Sequence, residues 1–104
     1  MVVKTYKVTD EFPTNEQYGL TSQMRRSAVS IPANIAEGSR RSTTKDFRNF
    51  LTIAFGSGSE LETHIEVVKL LPFGTKLDFS EIDSLLEEIM KMLNTMITKT
   101  TTDS

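Results

Sequence analysis

The side chains able to do acid–base, metal or nucleophilic chemistry are few in this sequence and poorly grouped. His64 is the only histidine, with Glu60 four residues before it and Glu66 two after. Carboxylate-bridged metal sites in helical bundles pair Glu-x-x-His sequences on two helices. Here the position three before His64 is Leu61, so no metal site is expected. A nuclease of the nucleotide-binding helical kind needs an arginine a few residues before its histidine on one helix. The nearest preceding arginine is Arg48, about four turns away. Serines are numerous, but none has a nearby base to activate it as a nucleophile. Gly56-x-Gly58 lacks a third glycine, a preceding strand and a lysine, which rules out a phosphate-cradling loop. With no cysteine, disulfides, thiolate metal sites and cysteine nucleophiles are excluded. No catalytic residue, cofactor site or metal site is expected.

The basic residues offer binding chemistry instead. The net charge is -2, but Leu20 to Phe50 carries six basic residues against two acidic ones, and Leu51 onward carries four lysines against nine acids. Arg40, Arg41, Lys45 and Arg48 gather around one turn and form the leading candidate for phosphate contact. Arg25 and Arg26 stand about 22 Å away at a helical rise of 1.5 Å per residue, so they do not join that patch within one chain. They fall near the level of Glu60 and Glu62, which favours ion pairing between helices or subunits over phosphate contact. A polyanion-binding protein is more often basic overall, whereas the pI here is near 5.4. Nucleic-acid contact would therefore use a local patch, and a solvated basic turn is the alternative.

The elements that position these groups are all helical. Val2, Val3, Tyr6 and Val8 recur at helical spacing before the turn of Pro13 to Gly19, which predicts a first helix of about two turns. Leu20, Met24, Ala28, Ile31 and Ile35 mark a second helix, capped by Thr21 or Ser22, stopped by Gly38 and kinked at Pro32. Thr43 with Asp46 reads as a capping box for a long third helix, ended by Leu71-Pro72-Phe73-Gly74. Ser80 with Asp83 caps a fourth, whose apolar repeat from Ile82 to Ile97 suits bundle packing, before a threonine-rich tail at 98–104 that frays. No segment alternates as a strand does. The expectation is one domain over 1–104, an all-α, antiparallel up-down-up-down four-helix bundle with a short first helix.

Folding the second and third helices about Arg41 sets Ala28 opposite Ala54, Met24 opposite Gly58 and Ile31 opposite Leu51. Small residues then meet at a seam, with Ala28, Pro32, Asn34, Ala54, Gly56, Gly58, Glu60 and Glu62 as candidates for a helix–helix or subunit interface. Asn34 could satisfy the carbonyl that Pro32 frees, or lie between subunits. No apolar run approaches the length of a membrane span, and the first residues do not read as a secretory signal. The expected setting is the cytoplasm.

One long stretch carries a resemblance. Phe12-Pro13-x-x-Glu16-x-Tyr18-Gly19-Leu20-Thr21-Ser22-Gln23-x-Arg25-Arg26-Ser27-Ala28-Val29-Ser30-Ile31-Pro32-Ala33-Asn34-Ile35-Ala36-Glu37-Gly38 resembles the four-helix-bundle proteins encoded in intervening sequences of bacterial 23S ribosomal RNA genes. Asp46-Phe47, Phe50-Leu51 and Ala54-x-Gly56-Ser57-x-Ser59-Glu60-Leu61-Glu62-Thr63 extend the match. That family is in turn similar to the accessory variability determinant of diversity-generating retroelements. The similarity implies a homopentameric barrel of bundles that binds nucleic acid and a protein partner. The resemblance also implies a longer first helix than the one read here. The strip beside a two-turn helix is expected to be covered by another protomer or by preceding residues.

Overall fold

The apolar side chains that recur every three or four residues gather into one core. Met24, Ala28 and Ile31 meet Leu51, Ala54, Leu61, Ile65 and Val68, with Ile82, Leu86 and Leu93 closing the fourth side. The computed structural model describes residues 1–103, and side-chain surroundings through 101. Its helices are α1 (Val2–Thr9), α2 (Ser22–Ser39), α3 (Thr44–Leu70) and α4 (Ser80–Asp103), with no strand among the described residues. They form an antiparallel four-helix bundle, 47 Å long and 22 by 18 Å across, with α2 and α3 as its closest pair. No helix of the described residues is long and apolar enough to cross a membrane.

In α1 the buried face differs from the one the periodicity picks out. Val3 and Tyr6 point outward, whereas Thr5 and Thr9 are buried beside Val8. The two threonines fit an apolar contact because each hydroxyl donates back to its own helix, Thr5 Oγ1 to the Met1 carbonyl and Thr9 Oγ1 to that of Thr5. The chain then turns through Thr14–Glu16 and one π-helical turn at Gln17–Thr21, where Gly19 leaves helical geometry at φ -106° and ψ -111°. This turn runs directly into α2. Thr21 is therefore already helical and makes no capping bond, contrary to the cap expected there.

Gly38 does not stop α2 by a left-handed turn, since no glycine of the described residues has positive φ. It lies inside the last turn, and a Cβ there would stand 2.7 Å from Phe50 Cβ and 3.0 Å from the Phe47 ring. The glycine lets α3 press against the end of α2. That contact shifts the register. The Ser30 and Ser57 hydroxyls share a hydrogen bond of 2.8 Å, where a fold about Arg41 would set Ser30 against Thr52. Asn34 donates to the Ser30 carbonyl and hydroxyl, not to the carbonyl of Ala28 that Pro32 leaves free. The helix assignment continues through Pro32.

The other boundaries follow from local bonds. Thr43 Oγ1 accepts from the Asp46 amide and caps α3 as its spacing predicts. Gly74 fills the turn after α3, since a Cβ there would fall 1.8 Å from the Val68 carbonyl oxygen, and Phe73 packs edge-on to Phe12 at 5.1 Å. At the start of α4 the cap is Asp78, whose Oδ1 accepts from both the amide and the hydroxyl of Ser80. These two bonds hold the Asp78 carboxyl below the usual carboxylate range. The threonine-rich end, expected to fray, is helical through Asp103, and within it Thr100 and Thr101 donate their hydroxyls to the Ile97 carbonyl.

Gly38→Ala is expected to lower stability by about 1–3 kcal/mol, as overpacking against Phe50 does, and urea unfolding would show it as an earlier midpoint. Gly58→Ala is expected to cost less. The atom its Cβ would meet is Met90 Sδ, the far part of a flexible side chain.

Candidate nucleic-acid and subunit interfaces

The six basic residues singled out by the sequence do three different things. Arg25 holds the C-terminal end of α1: its Nε donates to Thr9 Oγ1 at 2.8 Å and its Nη2 to Asp10 Oδ1 at 2.7 Å. The same guanidinium lies 4.5 Å from the Tyr6 ring centre. Its partner within the protomer is thus Asp10, and neither Glu60 nor Glu62 makes an ion pair there. The end of α1 offers carbonyl, hydroxyl and carboxylate oxygens together, a better match to the planar donor fork than one carboxylate across a helix seam.

Arg48 is used in the same way at the other end. Its Nη1 donates to the Thr100 carbonyl at 3.1 Å, which binds the last turn of α4 to the first turns of α3. Arg41 pairs with Glu37 one turn back and lies over the Phe50 ring at 4.8 Å. Arg40, Lys45 and Arg26 are exposed and make no ion pair among the described residues. The turn between α2 and α3 therefore presents two free cations, Arg40 and Lys45, beside the half-neutralised Arg41. Lys69 is committed to structure as well. It bridges Asp83 at 2.7 Å and Glu66 at 3.3 Å, and these partners, Asp83 first, raise its ammonium above the usual lysine range.

The small residues of the predicted seam also separate. Ala28 and Ala54 are fully buried in the core. Gly58 faces α4, where a Cβ would meet Met90, not Met24 on α2. Gly56 is on the outside of α3, with nothing within 4 Å of the place a Cβ would occupy. Pro32 is exposed and Asn34 half-buried, while Glu60 and Glu62 are exposed on α3. His64 is half-buried, and its Nδ1 is enclosed without a hydrogen-bond partner among the described residues. Among the described residues no three His, Asp or Glu side chains come together in a way that could hold a metal ion.

Among the described residues, three apolar surfaces bear on the sequence expectations. The first is a groove beyond the N-terminal end of α1, enclosing about 250 Å³ between α2 and α4, with Ile31, Pro32, Ile35, Ile89, Met92 and Met96 in its walls. This is the strip that a short first helix leaves open. The second runs along the outer face of α1 and α2 through Val3, Tyr6, Tyr18 and Val29, with Tyr18 90% exposed. The third runs along the outer face of α3 through Ile53, Gly56, Val67 and Leu70. Sequence reasoning set Val3 and Tyr6 on the core stripe and Gly56 among the interface candidates, but missed the continuous stripes. Val29, Ile53, Val67 and Leu70 sit on the minority side of helices whose stronger stripe faces the core, so periodicity assigns them to neither class.

The fold defines a small antiparallel helical-bundle protein. Residues 1–95 match the family described as 23S rRNA-intervening sequence protein. The chain belongs to that family. No curated protein matches it significantly.

Arg25→Ala and Arg48→Ala are each expected to destabilise by about 1 kcal/mol, the scale of a charge-assisted bond that is partly screened. Hydrogen exchange should separate them. Protection should fall in α1 for the first and in the last turn of α4 for the second; equal loss throughout the bundle would contradict the clamp assigned to each.

Proposed function

We propose that this chain is a non-catalytic, oligomer-forming interaction module that holds structured nucleic acid or a protein partner at the end of the bundle where α2 passes into α3. The observation that carries the reading is the pair of uncovered apolar stripes on α1/α2 and α3. Stripes of this extent on a 104-residue protein mark contact surfaces, and two different stripes suit a head-to-tail arrangement that closes into a ring. A ring would bring Arg40, Lys45 and Arg41 from each copy to one rim and multiply the field that one chain makes weakly. Five copies is the number that the likeness to the accessory variability determinant implies. The expected setting is the cytoplasm.

A second reading, an oligomer that contacts protein alone, is favoured by one specific observation. Arg41 and Arg48, half of the basic turn, are engaged within the protomer.

Light scattering should give a mass that is a multiple of 11.7 kDa; a monomer at micromolar concentration would defeat the proposal. Fluorescence anisotropy with a labelled structured RNA separates the two readings. The first expects binding that weakens steeply with salt and falls at least about tenfold in Arg40→Ala/Lys45→Ala. Absent binding, or binding indifferent to that pair, leaves the protein-only oligomer.

A further inference from the structure

We infer that α2 of one protomer docks antiparallel on α3 of a second copy, with Arg26 paired to the partner subunit's Glu60 and Val29 seated over the partner subunit's Gly56. The inference rests on the oligomeric reading above and specifies its interface. Three observations point to this register.

The first is charge. Arg26 on the outer face of α2 and Glu60 on the outer face of α3 are both exposed, and among the described residues neither has an ion-pair partner in its own protomer. Each lies within an apolar stripe, where a single charge of one sign selects a partner of the other. Arg26 and Val29 share a shallow basin with Tyr6 and Tyr18, and Glu60 lies seven residues from Ile53 and four from Gly56.

The second is shape. Gly38, Gly58 and Gly74 each face a close neighbour that a Cβ would strike, whereas Gly56 faces open space. A glycine inside a helix costs about 1 kcal/mol relative to alanine, and nothing in the protomer offsets that cost at position 56. A hollow there, flanked by the exposed Ile53 and Glu60, accepts a branched side chain from a facing helix in the manner of a knob in a hole.

The third is height along the bundle. The Ser30–Ser57 bond sets these two positions level within the protomer. At 1.5 Å per residue, Arg26 then stands about 6 Å from that level toward the start of α2, and Glu60 about 4.5 Å in the same direction. In the other direction Ala33 and Ile53 stand at about 4.5 and 6 Å. Rotation about an axis parallel to the bundle leaves every residue at its own height. A ring closed about such an axis brings Arg26 level with Glu60, Ala33 level with Ile53, and Val29 within about 3 Å of the height of Gly56.

A charge-swap cycle tests the register on the full chain, with mass read by light scattering over a dilution series and folding checked by circular dichroism. Arg26→Glu and Glu60→Arg alone are each expected to weaken association at least about tenfold, and the double variant to restore it to within about threefold. Gly56→Leu supplies an independent arm. It touches open space in a lone protomer, so helix content should be retained while association weakens about tenfold or more. A wild-type protein that is monomeric overturns both this register and the oligomeric reading. An oligomer whose mass is indifferent to the single swaps and to Gly56→Leu, or is not restored by the double swap, overturns the register alone.

Discussion

A Cβ at position 38 would lie 2.7 Å from the Cβ of Phe50, so the end of α2 and the start of α3 approach more closely than any side chain at 38 would allow. The remaining order follows from that contact. Phe47 and Phe50 reach across α2's last turn, the first turn of α3 overhangs it, and Ser30 falls level with Ser57. With the long pair fixed, α4 lies back along α3 and brings its last turn to Arg48, while α1 lies back along α2 and brings its end to Arg25. A larger residue at 38 would slide this whole set of heights, on which both clamps depend.

Those clamps explain where the positive charge goes. Arg25 meets the C-terminal end of α1, Arg48 that of α4, and Arg41 sits just past that of α2. The C-terminal end of a helix presents unpaired carbonyls and the negative end of the backbone dipole, so an arginine there is favoured before any external ligand is considered. The basic excess between Leu20 and Phe50 is thus partly a device for holding helix ends in a short bundle. Of that stretch, Arg26, Arg40 and Lys45 make no ion pair among the described residues, Arg40 and Lys45 at the turn between α2 and α3 and Arg26 apart from them on α2. One protomer presents a modest field; any strong attraction for a polyanion has to come from repetition.

The architecture was legible in the sequence because burial leaves a periodic trace. Met24, Ala28, Ile31, Leu51, Ala54, Leu61 and Ile65 are buried as their spacing predicts, and Thr43 caps α3 as its spacing with Asp46 predicts. What failed was anything set by contact between helices. Gly38 has the composition of a stop signal and acts as a packing surface, a distinction that Phe47 and Phe50 make from the next helix. Gly58 belongs to α4 because the register moved by about a turn and a half from a symmetric hairpin. Arg48 looked like part of a basic turn because its partner, the Thr100 carbonyl, lies fifty-two residues away and has no side-chain signature. The buried threonines of α1 escaped because their hydroxyls are satisfied inside the helix, which makes them apolar to the outside.

The groove beyond α1 differs in kind from the stripes on α2 and α3. It is concave, its walls belong to α2 and α4, and Met1, Met92 and Met96 line it beside branched aliphatic residues. Methionine is unbranched and polarisable, so it can fold over an unfilled space at lower cost than a rigid side chain would incur. The flat stripes have no such remedy. Val3, Val29 and Ile53 are short and β-branched, held in few rotamers by their helices, and cannot fold over to cover their neighbours. The groove can thus relieve part of its exposure within one chain, while the stripes are relieved only by a surface of complementary shape.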